Sequence, residues 1–182
     1  YSPENIQRGA LNHITTNEIA KAAALVNSGE IVKMALPWNT VSGPDNHKPS
    51  IHYMSEMGDT PNEEPTCNKD FIGTDYHGKA VSHLDSLTHI AYKGLLFGGK
   101  KSSEVVTSIG TSWGAVDKLG PIVSRGVLLD AARFINKEWI EPGTAIHAAE
   151  IIAMEEKFNF KISKGDIVLL RSGQDRKSTR LN

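Results

Sequence analysis

The chain has 182 residues, of which 39% are hydrophobic and 23% charged, and its formal net charge is -1 at pH 7. Such a chain can bury one sizeable core, so the sequence predicts one domain or a piece of one. The near-neutral charge excludes the basic field with which nucleic-acid-binding and membrane-surface proteins attract their partners, so we expect a small-molecule partner, no nucleic acid and no membrane.

Cysteine content and apolar runs bear on the cellular location. Cys67 is the single cysteine, so an internal disulfide is excluded. No apolar run approaches the roughly 20 residues of a membrane-spanning helix or has the form of a signal peptide. We therefore expect a reducing, cytoplasmic location. Because the first residue is Tyr1 rather than Met, we also expect a segment to precede it.

The first half of the chain predicts one helix, one strand and a long loop. The helix lies in "ITTNEIAKAAALVNSGE", with Thr15 or Thr16 as N-cap and Gly29 as its stop. A short strand follows in "EIVKMALPW". Between residues 39 and 68 only "SIHYM" can form a strand, and a loop of this length inside a domain indicates a lid or substrate loop.

The second half predicts two buried strands around a helix. An apolar run from Gly126 to Leu129 ends at Asp130 and predicts the first strand. "TAIHAAEIIAMEEKFN" has helical spacing, and "GDIVLLRSG" predicts a second strand entered by a turn. Because strands and helices alternate, the sequence predicts an α/β fold.

The last residues, "DRKSTRLN", lack the regular spacing of apolar residues seen in the preceding segments and resemble the translation of a sequencing-library adapter. We therefore predict a domain over 1–174 and a non-native tail over 175–182. A disordered basic tail is the alternative, and neither carries function.

A cluster of metal-binding residue types lies in "HGKAVSHLDSLTH" (77–89), which holds three of the seven histidines. In a strand, His83 and Asp85 would point to the same face, about 6 to 7 Å apart at Cα. Imidazole and carboxylate are ligands that zinc, manganese and iron all accept, and a carboxylate can also bridge two ions. The alternative is an aspartate that only orients a core histidine. Four residues later, a turn could return His89 towards the ion.

The segment "SHLDSLTHIAYKG" resembles the metal-dependent cyclase-like hydrolases, the family of bacterial kynurenine formamidase and isatin hydrolase. Further stretches resemble successive landmarks of one branch of that family, in the same order from Gln7 to Gln174: "RGALNHITTNEIAKAAALVNSGE", "VTSIGTSWGAV", "IVSRGVLLDAARF", "WIEPGTAI" and "KGDIVLLRSGQ".

The resemblance implies roles for the cluster. His83 and Asp85 match the second and third metal ligands of the family, and His89 matches its catalytic, proton-transferring histidine. A helix-capping or core histidine is the alternative for His89.

One position departs from the family pattern. Lys79 stands where the resemblance places the first ligand, and an ammonium group is no ligand unless it is deprotonated. His77 is the substitute that we predict. In a straight strand His77 and His83 would lie about 20 Å apart at Cα, so the chain would have to bulge or turn at Gly78.

The resemblance also implies an activity and an architecture. The fold would be a mixed sheet with flanking helices, of the swivelling β/β/α type, and the full-length protein would be a homo-oligomer, a dimer or tetramer. A metal-activated water, with zinc or manganese as the metal, would cleave an amide, formamide or cyclic amide bond. N-formylkynurenine, an intermediate of tryptophan catabolism, is the leading substrate. Isatin-like lactams, other cyclic amides, or an inactive metal-binding or small-molecule-binding member are the alternatives.

In relatives, a later His and Glu complete the metal site, and they would lie beyond "LLRSG". We therefore expect this chain alone to bind metal weakly and to show little or no activity. His147 is predicted to face solvent rather than to replace them.

Other candidate side chains lack a positioned partner in the sequence. His13, His47 and His52 have no partner at ligand spacing, and neither Ser82 nor Cys67 has the base that a nucleophile needs. Near the loop, Trp38 and Tyr53 could stack on a planar substrate, although core packing is the commoner role of such residues.

Overall fold

The computed structural model of the chain describes residues 6–59, 64–78 and 81–173. Its chain divides into two compact units. Glu30–Leu84 form one, which we call the hairpin unit, and Tyr1–Gly29 with Asp85–Asn182 form the other, the parallel-strand unit. Lys79 and the tail 175–182 lie outside the described residues, so the predictions made for them, and for the domain boundary at 174, stay predictions.

Two antiparallel strands organise the hairpin unit. Strand β1 (Ile51–Met57) pairs with β2 (Asn68–Gly73), and the register shifts between Met54 and Glu56. The ring of Tyr53 stacks on that of Phe71 across the pair, with centroids 5.2 Å apart. Strand β1 confirms and extends the strand predicted in "SIHYM", whereas β2 was not predicted.

The strand predicted over 30–38 is wrong. These residues have no regular secondary structure, and Ile31 is 93% exposed. Among the described residues this segment pairs with no strand, and the backbone N–H of Leu36 donates to the hydroxyl of Ser82 instead (2.7 Å). Alternating apolar residues favour a strand only where a neighbouring strand supplies hydrogen-bond partners, so the pattern alone was insufficient.

Helices and short strands alternate in the parallel-strand unit, which confirms the α/β class. Strands β3 and β4 are antiparallel, and β5 and β6 are parallel. The described elements are the 3₁₀ helices Ile6–His13, Phe97–Gly99 and Val116–Lys118, the helices α1 (Thr16–Ala23), α2 (Ser102–Val105), α3 (Ala131–Phe134) and α4 (Ala148–Phe158), and the strands β3 (Val106–Thr107), β4 (Gly110–Thr111), β5 (Gly126–Asp130) and β6 (Ile167–Arg171).

Local capping explains where α1 begins. Thr15 is the N-cap: its hydroxyl accepts from the N–H of Asn17 (3.3 Å), and its own N–H donates to the carboxylate of Glu18 (3.2 Å). This capping box confirms the predicted helix and selects Thr15 over Thr16. The helix ends at Ala23, six residues before Gly29.

The hydrophobic core of this unit lies between β5, α3 and α4. Leu129 and Met154 are each 1% exposed and pack with other buried apolar residues, namely Ala131, Ala132 and Ile140. Strand β5 buries Val127 and Leu129 but leaves Leu128 exposed, so it is buried on one face rather than on both as predicted.

Ion pairs tie β6 to β5 at both ends. At the carboxyl ends Arg171 donates to Asp130 (2.7 Å), its register partner. Before the strands begin, Arg125 Nε donates to Asp166 Oδ1 (2.9 Å), and the same carboxylate accepts from the N–H of Ser163 (2.6 Å). The side chain of Asp166 is only 6% exposed. Its hydrogen bond from Arg125 is the largest cause that lowers the pKa of this carboxyl group.

The turn Ser86–His89 is held by glycine contacts from two other segments. A Cβ at Gly9 would lie 3.2 Å from Leu87 Cδ1, and a Cβ at Gly114 would lie 3.3 Å from the methyl carbon of Thr88. Both glycines have positive φ, and the N–H of Gly114 donates to the side chain of Gln7 (2.8 Å). This close packing fixes the turn that carries His89.

We predict that Asp166→Asn lowers the free energy of unfolding by about 2 kcal/mol at pH 7, because it removes the charge from a nearly buried, hydrogen-bonded ion pair. Urea unfolding measures this change. Asp117→Asn is the matched control: Asp117 pairs with Lys118 at a side-chain exposure of 64%, so the change should be below about 0.5 kcal/mol.

The ion pair of Arg125 with Asp166 also predicts how the free energy of unfolding depends on pH. Since the pKa of Asp166 in the folded chain lies below its ordinary value of 3.8, its contribution is present above that value and is lost as the pH falls through the lower folded pKa. The difference between the wild type and Asp166→Asn should therefore shrink below pH 3.8. A difference that stays constant down to acid unfolding would contradict this assignment.

We also predict that Gly114→Ala disturbs the turn Ser86–His89. Alanine is strained at positive φ, which costs about 1 to 3 kcal/mol, and its methyl group would additionally press on Thr88. Gly120→Ala is the control, because Gly120 has a similar φ of +67° but nothing within 4 Å of a Cβ. Both variants should lose stability, while only Gly114→Ala should shift the backbone amide resonances of Thr88 and His89. Equal shifts in both variants would exclude the contact.

Candidate metal centre

The chain of the hairpin unit turns at Gly78. The N–H of Gly78 donates to the carbonyl oxygen of Asp75 (3.0 Å), and the N–H of Val81 donates to that of Gly78 (3.3 Å). The rings of His77 and His83 consequently lie 5.3 Å apart between centroids. The turn at Gly78 that a His77 ligand requires is therefore present.

A backbone contact orients the ring of His83. Its Nδ1 lies 2.7 Å from the carbonyl oxygen of Val81, a buried residue. Because a carbonyl oxygen only accepts hydrogen bonds, Nδ1 is the donor in this contact, which leaves Nε2 as the ring nitrogen that can bind an ion. Histidine ligands of metals are commonly oriented in this way, by a carbonyl group on the other ring nitrogen.

Asp85 and His89 lie in the parallel-strand unit and approach each other there. The N–H of His89 donates to the carbonyl oxygen of Ser86 (3.1 Å), which closes the turn predicted after Asp85. The carboxylate of Asp85 and a ring nitrogen of His89 lie within 4.8 Å of each other. Of the helix or loop expected after Asp85, the structure has a turn, and the return of His89 towards an ion stays a prediction.

The short chain between His83 and Asp85 limits how far apart these two residues can lie. His83 and Asp85 are separated by one residue, so their Cα atoms cannot be more than about 7 Å apart. The exposed side chains of Asp85 and His89 offer a carboxylate and an imidazole within the parallel-strand unit, and His77 is likewise exposed in the hairpin unit. With His83, the stretch offers three imidazoles and one carboxylate, a set that zinc and manganese both accept. The residues present therefore fit a divalent metal.

An ion pair stabilises the start of the turn. Lys48 Nζ lies 2.6 Å from Asp75 Oδ2. The hydrogen bond from Lys48 is the largest cause that lowers the pKa of the Asp75 carboxyl group, followed by the charge of the same lysine. Asp75 therefore stays ionised and paired with Lys48. Sequence reasoning missed both residues, because their spacing of 27 positions carries no periodic signal.

The remaining histidines lie elsewhere. His52 has no partner at ligand spacing in the sequence, but its Nε2 lies 3.0 Å from Asp70 Oδ2, 18 residues away across the hairpin. Strand β2, which supplies Asp70, was not predicted, and the pairing could not be foreseen. His47 is exposed, and His13 ends the first 3₁₀ helix. His147 is exposed at the start of α4, as predicted, and its backbone N–H donates to Glu150.

The structure also places the candidate stacking and nucleophilic groups. Trp38 is 46% exposed, whereas Tyr53 already stacks on Phe71. The thiol of Cys67 donates to the carboxylate of Glu56, and this hydrogen bond is the largest cause that raises the pKa of the thiol. A thiol with a raised pKa is a poor nucleophile, in agreement with the expectation that Cys67 has no catalytic role.

Within residues 6–59, 64–78 and 81–173, none of the helices combines the length and the apolar character that crossing a bilayer requires.

The chain is similar to proteins of one family. No curated protein matches the chain. A crystal structure described as that of a novel cyclase is similar, with a TM-score of 0.85 and 25% sequence identity. The match covers 98% of this chain and 63% of that one, so the chain spans less than two thirds of its structural relative. The model of the Cyclase family matches residues 10–181. The chain therefore belongs to the Cyclase family.

Proposed function

We propose that the chain is the metal-binding part of a hydrolase that cleaves an amide, formamide or cyclic amide bond. N-formylkynurenine, which would yield kynurenine and formate, is the leading substrate, and isatin-like lactams or other cyclic amides are the alternatives. The observation that carries the proposal is the paired arrangement of His77 and His83, with the proton of His83 held on Nδ1. Membership of the Cyclase family supports an enzyme.

In this proposal His77, His83 and Asp85 hold the ion, zinc or manganese. A divalent ion bound there would lower the pKa of a water molecule and polarise the carbonyl group of the substrate. The carbonyl oxygen of Val81 keeps the His83 ring in the orientation that presents Nε2. The carboxylate of Asp85 offsets part of the positive charge of the ion.

His89 moves the proton. Imidazole exchanges protons near neutral pH, and the ring lies beside Asp85 on a turn that close packing fixes. It would take a proton from the attacking water and return it to the leaving nitrogen. Cys67 and Ser82 are not required, because the attacking group is water. The hydroxyl of Ser82 instead accepts from the N–H of Leu36.

We predict that Asp85→Ala weakens zinc binding of the full-length protein at least about 10-fold, because it removes the anionic ligand. Isothermal titration with zinc measures the dissociation constant. Asp70→Ala is the matched control: it also removes an exposed carboxylate beside a histidine, His52, but in the hairpin. Its zinc affinity should equal that of the wild type. Equal affinities for all three proteins would contradict the assignment of Asp85.

We predict that His89→Ala lowers turnover of N-formylkynurenine by the full-length protein by a factor of about 100 or more, the usual contribution of a general acid–base group. Zinc content should stay at the wild-type level, since His89 acts on the proton rather than on the ion. Steady-state kinetics and metal analysis of the same preparation test both statements. Turnover within a few-fold of the wild type would remove His89 from the mechanism.

A binding protein without catalysis is the second candidate, and Lys79 at the position of a family ligand favours it. Such a protein would bind metal or a small molecule but would hydrolyse none of the amide, formamide and lactam substrates. Chelation separates the two candidates, because only the enzyme has an activity that is lost with the metal and returns when zinc or manganese is added.

A further inference from the structure

We infer that Tyr76 is a positioning residue of the metal centre, acting through the backbone of Leu84. The hydroxyl group of Tyr76 donates to the carbonyl oxygen of Leu84 (3.1 Å) and accepts from the N–H of the same residue (3.2 Å). A single side-chain oxygen therefore satisfies both polar backbone groups of one residue, eight positions further along the chain.

Leu84 is the residue between two of the proposed ligands. Its peptide bonds join it to His83 on one side and to Asp85 on the other. Fixing its N–H and carbonyl groups fixes the planes of both peptide units, and with them the directions in which the flanking side chains leave the chain. Metal ligands must keep their geometry within a few tenths of an ångström, so this backbone contact bears directly on affinity.

The ring of Tyr76 contributes separately from its hydroxyl group. It lies edge-on to His77, with centroids 5.3 Å apart, and to His83, at 5.4 Å. Such contacts support the placement of the two imidazoles and would survive loss of the hydroxyl group. The two contributions can therefore be separated by a substitution that keeps the ring.

Tyr76→Phe is that substitution. The inference rests on the proposed function, because it requires that the protein bind a metal ion at this site. We expect the zinc dissociation constant of the full-length protein to rise about 10-fold or more, as for other groups that orient ligands. Cobalt substituted for zinc should show a changed visible absorption spectrum, which reports the coordination geometry. Tyr92→Phe is the control: Tyr92 is 75% exposed, and its variant should keep both the affinity and the spectrum of the wild type.

The outcomes separate this inference from the proposed function. If the wild type binds zinc and Tyr76→Phe binds it equally well with an unchanged cobalt spectrum, the role of Tyr76 is overturned while the metal site stands. If the wild type itself binds no zinc or manganese, the metal site fails, and the inference fails with it. Lower stability of Tyr76→Phe with unchanged affinity of the folded fraction would show a merely structural contact and would also overturn the inference.

A second measurement requires no variant. Amide hydrogen exchange at Leu84 in the wild type should slow by about 10-fold or more when zinc is added, since the ligands on either side then rigidify the same hydrogen bonds. Exchange at Leu84 that is indifferent to zinc, in a protein that binds it, would contradict the inference.

Discussion

The turn at Gly78 is the constraint on which the candidate metal centre depends. Two backbone hydrogen bonds around Gly78 reverse the chain, and without them His77 and His83 would stand about 20 Å apart. With them, the two rings lie 5.3 Å apart. The ion pair of Lys48 with Asp75 and the hydroxyl of Tyr76 hold the two ends of this reversal, so side chains that contact no metal decide whether the ligands can share one.

A second, independent support acts on the other half of the donor set. The turn that carries His89 is packed against Gly9 and Gly114, at positions where any larger side chain would press on Leu87 or Thr88. These glycines belong to the unit whose core is formed by β5, α3 and α4. His89, the proton-transferring group that we propose, thus lies on a closely packed turn, which is the usual requirement for acid–base chemistry at a fixed distance.

Much of the fold could be predicted from the sequence because its signals are local. The threonine and glutamate that cap α1, the apolar run of β5 and the spacing of α4 each determine an element from adjacent residues. The prediction of a strand over 30–38 failed because a strand needs a neighbouring strand as hydrogen-bond partner, and the local sequence pattern does not show whether one is present. The sequence also suggests the donor residues that we propose for the centre, but it gives no sign of Tyr76, Lys48 or the carbonyl of Val81, since their contacts join separate parts of the chain.

We propose that residues 77–89 hold one divalent ion through imidazole and carboxylate groups. X-ray absorption at the zinc edge of the zinc-loaded full-length protein tests it most directly, because scattering from imidazole rings identifies and counts histidine ligands. The account predicts at least two imidazoles, with Zn–N distances of about 2.0 to 2.1 Å, one of which disappears in His77→Ala. A zinc environment without imidazole, or one that His77→Ala and His83→Ala both leave unchanged, would contradict it.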